Sequence, residues 1–170
     1  TVITEDGTSA IEVTADQLIA TAAGPITLDT TVASATILTT DTGTIQIDET
    51  NAITLTNVAA RDGSITIAAG GALTATSVVS TTDNDQNDIT LTTTVNEIAV
   101  VSVVGGSSGD VTLRSAAAVT GDVATAVDVT ADVLTVTAAG PITLDSQVTS
   151  ASISTSSTGS IQLDETDAIR

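Results

Sequence analysis

Residues 15–53 read ADQLIATAAGPITLDTTVASATILTTDTGTIQIDETNAI, and residues 131–169 read ADVLTVTAAGPITLDSQVTSASISTSSTGSIQLDETDAI. The two stretches are offset by 116 residues, and about two-thirds of their positions are identical. The match extends backwards, because Ile11-Glu12-Val13-Thr14 aligns with Val127-Asp128-Val129-Thr130. Self-similarity at a fixed period is typical of repeat architectures, in which each unit buries its apolar face against the next.

The repeat sets the expected domain organisation. Residues 1–116 form a first unit, and residues 117–170 begin a second copy that continues the same stack. The chain holds about one and a half units, so we expect it to be part of a longer array.

Short apolar–polar–apolar triplets recur along the chain, and this period of two is typical of strands with one buried face. Turn-forming pairs such as Gly24-Pro25 and Asp62-Gly63 separate the triplets. No segment carries an apolar stripe of helical period, so the sequence predicts an all-β chain. The triplets include Ile26-Thr27-Leu28, Ile45-Gln46-Ile47, Ile65-Thr66-Ile67, Ile89-Thr90-Leu91, Val111-Thr112-Leu113, Ile142-Thr143-Leu144 and Ile161-Gln162-Leu163.

A shorter period distinguishes between two all-β architectures. The steps from Ile26 to Ile45, from Ile45 to Ile65 and from Ile142 to Ile161 are 19 or 20 residues. A sandwich has no reason to repeat at this interval, whereas each turn of a β-helix stacks a strand on its predecessor. The period predicts a right-handed parallel β-helix, or β-solenoid, with rungs of about 19–24 residues. The spacings of seven and eight residues within 111–142 leave open a rung of three strands or a shorter rung.

The composition favours a narrow interior and a cationic partner. The chain has no Phe, Tyr, Trp, Met or Cys, so Ile, Leu, Val and Ala must fill its core without the large burial that aromatic residues supply. Its net charge is −18, with 21 acidic residues, three Arg and no Lys or His. This charge excludes nucleic-acid binding, which needs Lys and Arg, and favours a calcium-rich extracellular medium or high salt. Membrane insertion is excluded because no apolar stretch of about 20 residues exists.

Enzymatic chemistry is disfavoured by the same composition. Nucleophilic triads need a basic residue such as His or Lys, and zinc sites need His or Cys. The chain has none of these three residue types. We therefore expect a protein without catalytic activity.

Two stretches carry a resemblance to a known family. Residues 62–75 (DGSITIAAGGALTA) and 109–113 (GDVTL) resemble the repeats of giant bacterial surface proteins of the filamentous-haemagglutinin type. The resemblance covers essentially the whole chain and rests on composition. It implies a right-handed parallel β-helix, export to the cell surface and a role as a long adhesive or structural fibre, with no active site to carry over.

The most polar loop is a candidate calcium site. It reads DNDQND, and its oxygens suit calcium, which prefers carboxylates and amide carbonyls. The alternative is a solvated turn rich in Asn and Asp. The predicted ligands in this loop are Asp83, Asp85, Asn87 and Asp88.

A second candidate depends on the register. If Ile26 stacks on Ile45, then Asp29 stacks on Asp48, and Asp145 stacks on Asp164 in the second copy. Carboxylates on adjacent rungs repel each other unless a cation lies between them. We therefore predict a calcium ladder, to which Glu49 and Glu165 would add oxygens; the alternative is an acidic edge screened by salt.

These observations predict a structural or adhesive segment of a long extracellular bacterial surface fibre, stabilised by calcium. The unpaired ends of a β-helix invite pairing with another chain, so we expect self-association into fibres, with divalent cations as further partners. The alternative is a tandem Ig-like or cadherin-like sandwich, rigidified by calcium, in a cell-surface adhesin.

Overall fold

The computed structural model describes residues 1–5, 7, 10–122 and 126–168. Within these residues the chain forms fifteen strands in one continuous hydrogen-bonded arrangement, with every strand pair parallel. The strands are β1 (Val13–Ala22), β2 (Ile26–Thr42), β3 (Ile45–Glu49), β4 (Ile53–Asp62), β5 (Ile65–Ala69), β6 (Leu73–Ala75), β7 (Val78–Ser80), β8 (Ile89–Thr93), β9 (Ile98–Val100), β10 (Val103–Val104), β11 (Val111–Ser115), β12 (Val119–Gly121), β13 (Val129–Ala138), β14 (Ile142–Thr155) and β15 (Ile161–Glu165).

The protein is a parallel β-solenoid of about eight turns, which confirms the predicted fold class. A sandwich needs antiparallel strands, so the sandwich alternative is wrong for the described residues. None of these residues lies in a helix that is long and apolar enough to cross a membrane.

Each turn contributes strands to three parallel stacks. The first stack contains the start of β2, followed by β3, β5, β8, β11 and the second half of β13. The second contains the start of β4, β6, β9, β12, the start of β14 and β15. The third contains the later parts of β2 and β4, then β7, β10 and the start of β13. Residues 111–142 therefore follow the three-strand alternative, because β11, β12 and β13 lie in different stacks.

The length of a turn depends on whether its corners carry loops. From Ile26 to Leu134 the partners in the first stack are 19 to 24 residues apart, as predicted. The β1–β2 and β13–β14 ladders repeat after 17 residues, which is shorter than predicted. These turns are shorter because β2 and β14 are long strands that stay paired through a corner, where other turns have a loop.

Aliphatic columns fill the interior. The inward positions of the first stack, including Ile45, Ile67 and Leu91, are fully buried. Adjacent rungs lie about 4.8 Å apart, so each aliphatic side chain packs against an equivalent one above and below. At one corner the backbones pass too closely for side chains: a Cβ on Gly43 would lie 2.5 Å from the carbonyl carbon of Gly24.

The sequence repeat does not return to the same stack. Ile26 and Ile45 lie in the first stack, but their equivalents Ile142 and Ile161 lie in the second. Five turns carry the first stack from Ile26 to Leu134, and Ile142 follows on the next stack. One repeat of 116 residues therefore covers five complete turns and then the step from the first stack to the second. Equivalent surfaces of the two copies therefore face different sides of the solenoid.

Candidate functional site

The predicted stacking of carboxylates is confirmed by the register. Asp29 pairs with Asp48 between β2 and β3, and Asp145 pairs with Asp164 between β14 and β15. In each pair the first side chain is half-buried and the second is exposed. Whether a cation lies between the two carboxylates stays a prediction.

Each pair has a third member that the sequence analysis did not include. The Glu12 carboxylate accepts a hydrogen bond from the Asp29 N–H at 2.7 Å, and the Glu12 N–H donates to the Asp29 carbonyl at 2.9 Å. Asp128 makes the same two bonds with Asp145, at 2.8 and 2.9 Å. We call Glu12, Asp29 and Asp48 the first carboxylate column, and Asp128, Asp145 and Asp164 the second. The alignment of Glu12 with Asp128 was the signal that could have identified the third member.

The closest gathering of acidic groups consists of two members of the first carboxylate column and a neighbouring glutamate. Glu5, Glu12 and Asp29 offer oxygens that all lie within 4.8 Å of one another, and no other acidic triad of the described residues does so. A shallow groove of about 310 Å³ beside it is lined by Asp29, Asp48 and Thr50, among others. Carboxylate oxygens are the ligands that calcium prefers, so these residues have the chemistry to bind it.

The second column is more enclosed. Asp128 is 1% exposed, whereas its equivalent Glu12 is exposed. Burial raises the pKa of Asp128, against the opposing effect of hydrogen bonds from the Asp145 and Asp122 N–H groups. A Cβ on Gly121 would lie 1.8 Å from an Asp128 carboxylate oxygen, so the fit of Asp128 depends on a glycine there.

The DNDQND loop does not gather its acidic groups into one cluster. Asp83 accepts hydrogen bonds from the Ser107 hydroxyl at 2.5 Å and the Ser108 N–H at 2.8 Å, and the Ser107 bond is the main cause of its lowered pKa. Asp88 accepts from the Asp110 N–H at 3.1 Å, and Asp85 is exposed. Asp83 and Asp88 thus contact different residues of the next turn, and calcium binding by this loop stays a prediction.

The amide of the same loop has a structural contact. Asn87 is 3% exposed, and its side-chain N–H groups donate to an Asp62 carboxylate oxygen at 2.9 Å and to the Thr82 carbonyl at 3.1 Å. These bonds tie the loop to the preceding turn, because Asp62 ends β4.

Glu49 and Glu165 have hydrogen-bond partners of their own, and their addition of oxygens to the carboxylate columns stays a prediction. Glu49 is 4% exposed and points into the solenoid, because it alternates with Ile45 and Ile47 on the inward side of β3. Its carboxylate accepts from the Thr30 hydroxyl and the Val32 N–H, both at 2.8 Å, and from the Asn51 N–H at 2.9 Å.

Glu165 repeats this arrangement in the second copy. It accepts from the Ser146 hydroxyl at 2.5 Å, the Val148 N–H at 3.0 Å and the Asp167 N–H at 3.4 Å. Both glutamates therefore satisfy backbone donors at a corner of the solenoid. Glu165 is half-buried rather than buried, because no strand covers β15 among the described residues as β5 covers β3.

A pH dependence follows from Glu165. Burial alone would raise its pKa, but the hydrogen bonds from Ser146, Val148 and Asp167 outweigh burial and lower it. A carboxyl with a lowered pKa contributes stability that is present above its unfolded pKa, about 4.3, and lost as the pH falls through the folded value. When the pH is lowered from about 6 to about 3, the urea midpoint of unfolding should therefore fall less for Glu165→Gln than for the parent protein.

Asp128 should contribute a pH dependence of stability opposite in sign to that of Glu165, and so it serves as a control. Because its pKa is raised, its favourable contribution is present at low pH and is lost as the pH rises through the folded value. Asp128→Asn should therefore retain more of its low-pH stability at about pH 6 than the parent does. Identical pH profiles for the parent and Glu165→Gln would contradict the assignment.

No protein-family model, curated protein or solved structure matches this chain. The resemblance to filamentous-haemagglutinin-type repeats therefore extends to the β-solenoid fold and identifies no family.

Proposed function

We propose that this chain is a structural and adhesive segment of an extracellular surface fibre, which self-associates through the ends of its solenoid and is stabilised by calcium. The observation that carries the proposal is the continuity of three parallel strand stacks through about eight turns. Such a stack has a fixed rise per turn and buries its aliphatic columns along its whole length. Length and stiffness are the properties that a fibre uses.

Self-association is supported by the strand at one end of the solenoid. Among the described residues, β15 pairs with β14 alone. Ile161 is 47% exposed, whereas its equivalent Ile45 is fully buried beneath β5. The Ile45 N–H donates to the Ser64 carbonyl at 2.9 Å, so the same register directs the Ile161 N–H to the free edge. An exposed edge with apolar side chains is a template for another strand.

The second end offers a complementary edge. Strand β1 pairs with β2 alone among the described residues, and it is ten residues long. We propose that β1 of one molecule covers β15 of another, which would extend the parallel stacks from chain to chain.

Calcium would act on the sides of the solenoid. The carboxylate columns bring like charges onto adjacent rungs of a chain with net charge −18. A divalent cation would relieve this repulsion within a chain and between neighbouring chains. The proposal includes no catalytic role, because the sequence lacks His, Lys and Cys, and its setting is the cell surface, where calcium is abundant.

Electron microscopy and fibre diffraction of the whole chain test the proposal, with calcium and with chelator at matched ionic strength. We expect thin unbranched filaments with an axial repeat of about 4.8 Å and, at low ionic strength, bundling that requires calcium. Ile161→Pro should shorten or abolish the filaments, because proline removes the N–H from the free edge and is tolerated at the first residue of a strand.

Ile161→Val is the matched control, since it keeps the N–H and should form filaments like the parent. Isolated particles of one size in both conditions would contradict the fibre proposal. Filaments of equal length from Ile161→Pro would instead contradict the assigned end.

A further inference from the structure

One side of the solenoid has an apolar outer surface. In the third stack the outward residues Leu38, Ala59, Val79 and Val104 pair in succession across four turns. Leu38 is 37% exposed and the other three are half-buried. We call these four residues the apolar column.

The other two stacks present mainly polar residues at the corresponding positions. Their outward centres are dominated by threonine, which suits a solvated strand face. In the first stack these residues are Thr27, Gln46, Thr66, Thr90, Thr112 and Thr135, and in the second they are Thr54, Thr74, Ala99, Thr120, Thr143 and Gln162. The apolar column is therefore confined to four turns of the third stack, where the same register places Thr21 before it and Thr130 after it.

The same surface has few carboxylates in a chain with net charge −18: the Asp83 carboxylate lies at one end of the column, where a Cβ on Gly106 would be 2.7 Å from its oxygen. The residues two positions before and after each member of the apolar column would share its outward face in an alternating strand. They are Thr36, Thr40, Asn57, Arg61, Ser77, Thr81, Ser102 and Gly106. The one charged residue among them is Arg61, whose guanidinium donates to the Thr40 carbonyl at 3.1 Å.

We propose that two copies of this chain pack side by side through the third-stack face, the apolar columns meeting. Two identical chains approach with least repulsion where each presents few carboxylates. Their side chains also repeat at the same rise of about 4.8 Å, so the columns can interdigitate along the axis as in a dry strand interface. This inference rests on the proposed fibre, since it specifies how its rods associate laterally.

The expected association is weak and strengthened by salt. Four turns span roughly 15 Å of the axis, and such a patch is well below the roughly 800 Å² per partner of a standard interface. Salt at about 1 M reduces the Debye length to about 3 Å, which screens the repulsion between the remaining acidic surfaces. Lateral dimers should therefore form at high salt without calcium.

The test is the monomer–dimer equilibrium of the Ile161→Pro protein, measured by sedimentation equilibrium. This variant is used because the substitution is designed to block end-to-end pairing. Chelator is present, and salt is set at about 0.01 M or about 1 M. We expect a dimer at high salt. Its dissociation constant should rise about tenfold or more in the variant Val79→Thr with Val104→Thr, because each change replaces a methyl group of the apolar column with a hydroxyl.

Val95→Thr is the matched control, because Val95 is 62% exposed and lies in the loop after β8. It should change the dissociation constant by less than about twofold. Matching urea midpoints would show that the variants fold alike.

The inference is overturned if the Ile161→Pro protein stays monomeric at high salt, or if the paired threonine variant dimerises like its parent. Either result leaves the fibre proposal standing when the unmodified chain still forms filaments. If the unmodified chain forms no filaments but the lateral dimers are still observed, the fibre proposal alone is overturned.

Discussion

Replacing Glu49 with leucine should lower the free energy of unfolding by about 3 kcal/mol or more. The Thr30 hydroxyl and the Val32 N–H would lose their common acceptor, and the Asn51 N–H would lose the other carboxylate oxygen. Each buried donor left without a partner costs about 1–3 kcal/mol, and leucine at this corner supplies no acceptor. The measurement is urea denaturation of the whole chain, followed by circular dichroism.

The second copy contains the control for this substitution. Glu165→Leu removes equivalent bonds from Ser146, Val148 and Asp167, but at a half-buried site where water can replace the lost acceptor. Its effect should be less than half that of Glu49→Leu. Equal losses at the two sites would show that burial does not set the energetic role of these glutamates.

The register of the solenoid was predictable because the triplets mark it. Ile26, Ile45 and Ile65 begin triplets at nearly constant intervals, and the structure stacks them in that order. Once Ile26 lies on Ile45, alternation requires Asp29 to lie on Asp48. The sequence therefore predicted the two aspartate pairs of the carboxylate columns at the correct residues.

The inward position of Glu49 was predictable from alternation but not from charge. Period two places it on the same side as Ile45 and Ile47, while a charged side chain is rarely buried without partners. The deciding fact is a set of three donors brought to one corner by other strands, and such a set has no local sequence signal.

The short turns and the apolar column could not be predicted for a different reason. In β2 several triplets merge into a strand of 17 residues, so the turn signals that mark rung boundaries are missing. Val78-Val79-Ser80 departs from the apolar–polar–apolar pattern, so the triplet pattern does not identify this strand of the third stack. Its outward valine became meaningful once the register placed it beside Ala59 and Val104.

Leu91→Ala should lower the free energy of unfolding by about 2–5 kcal/mol. Leu91 is fully buried, and its register neighbours in the first stack are Ile67 and Leu113. The rungs are fixed by backbone hydrogen bonds on both sides, so the column cannot collapse to fill the space left by the removed atoms. A core without aromatic residues has no larger side chain to move into it.

Leu163→Ala provides the comparison with identical chemistry, measured by the same urea titration. Leu163 is half-buried and belongs to β15, which is covered on one side by β14 alone among the described residues. Its truncation should cost less than half as much as that of Leu91, since part of its surface already contacts water. If both changes cost the same, stacking on two sides would not be what stabilises the aliphatic columns, and the stability of the solenoid would lie in its backbone ladders.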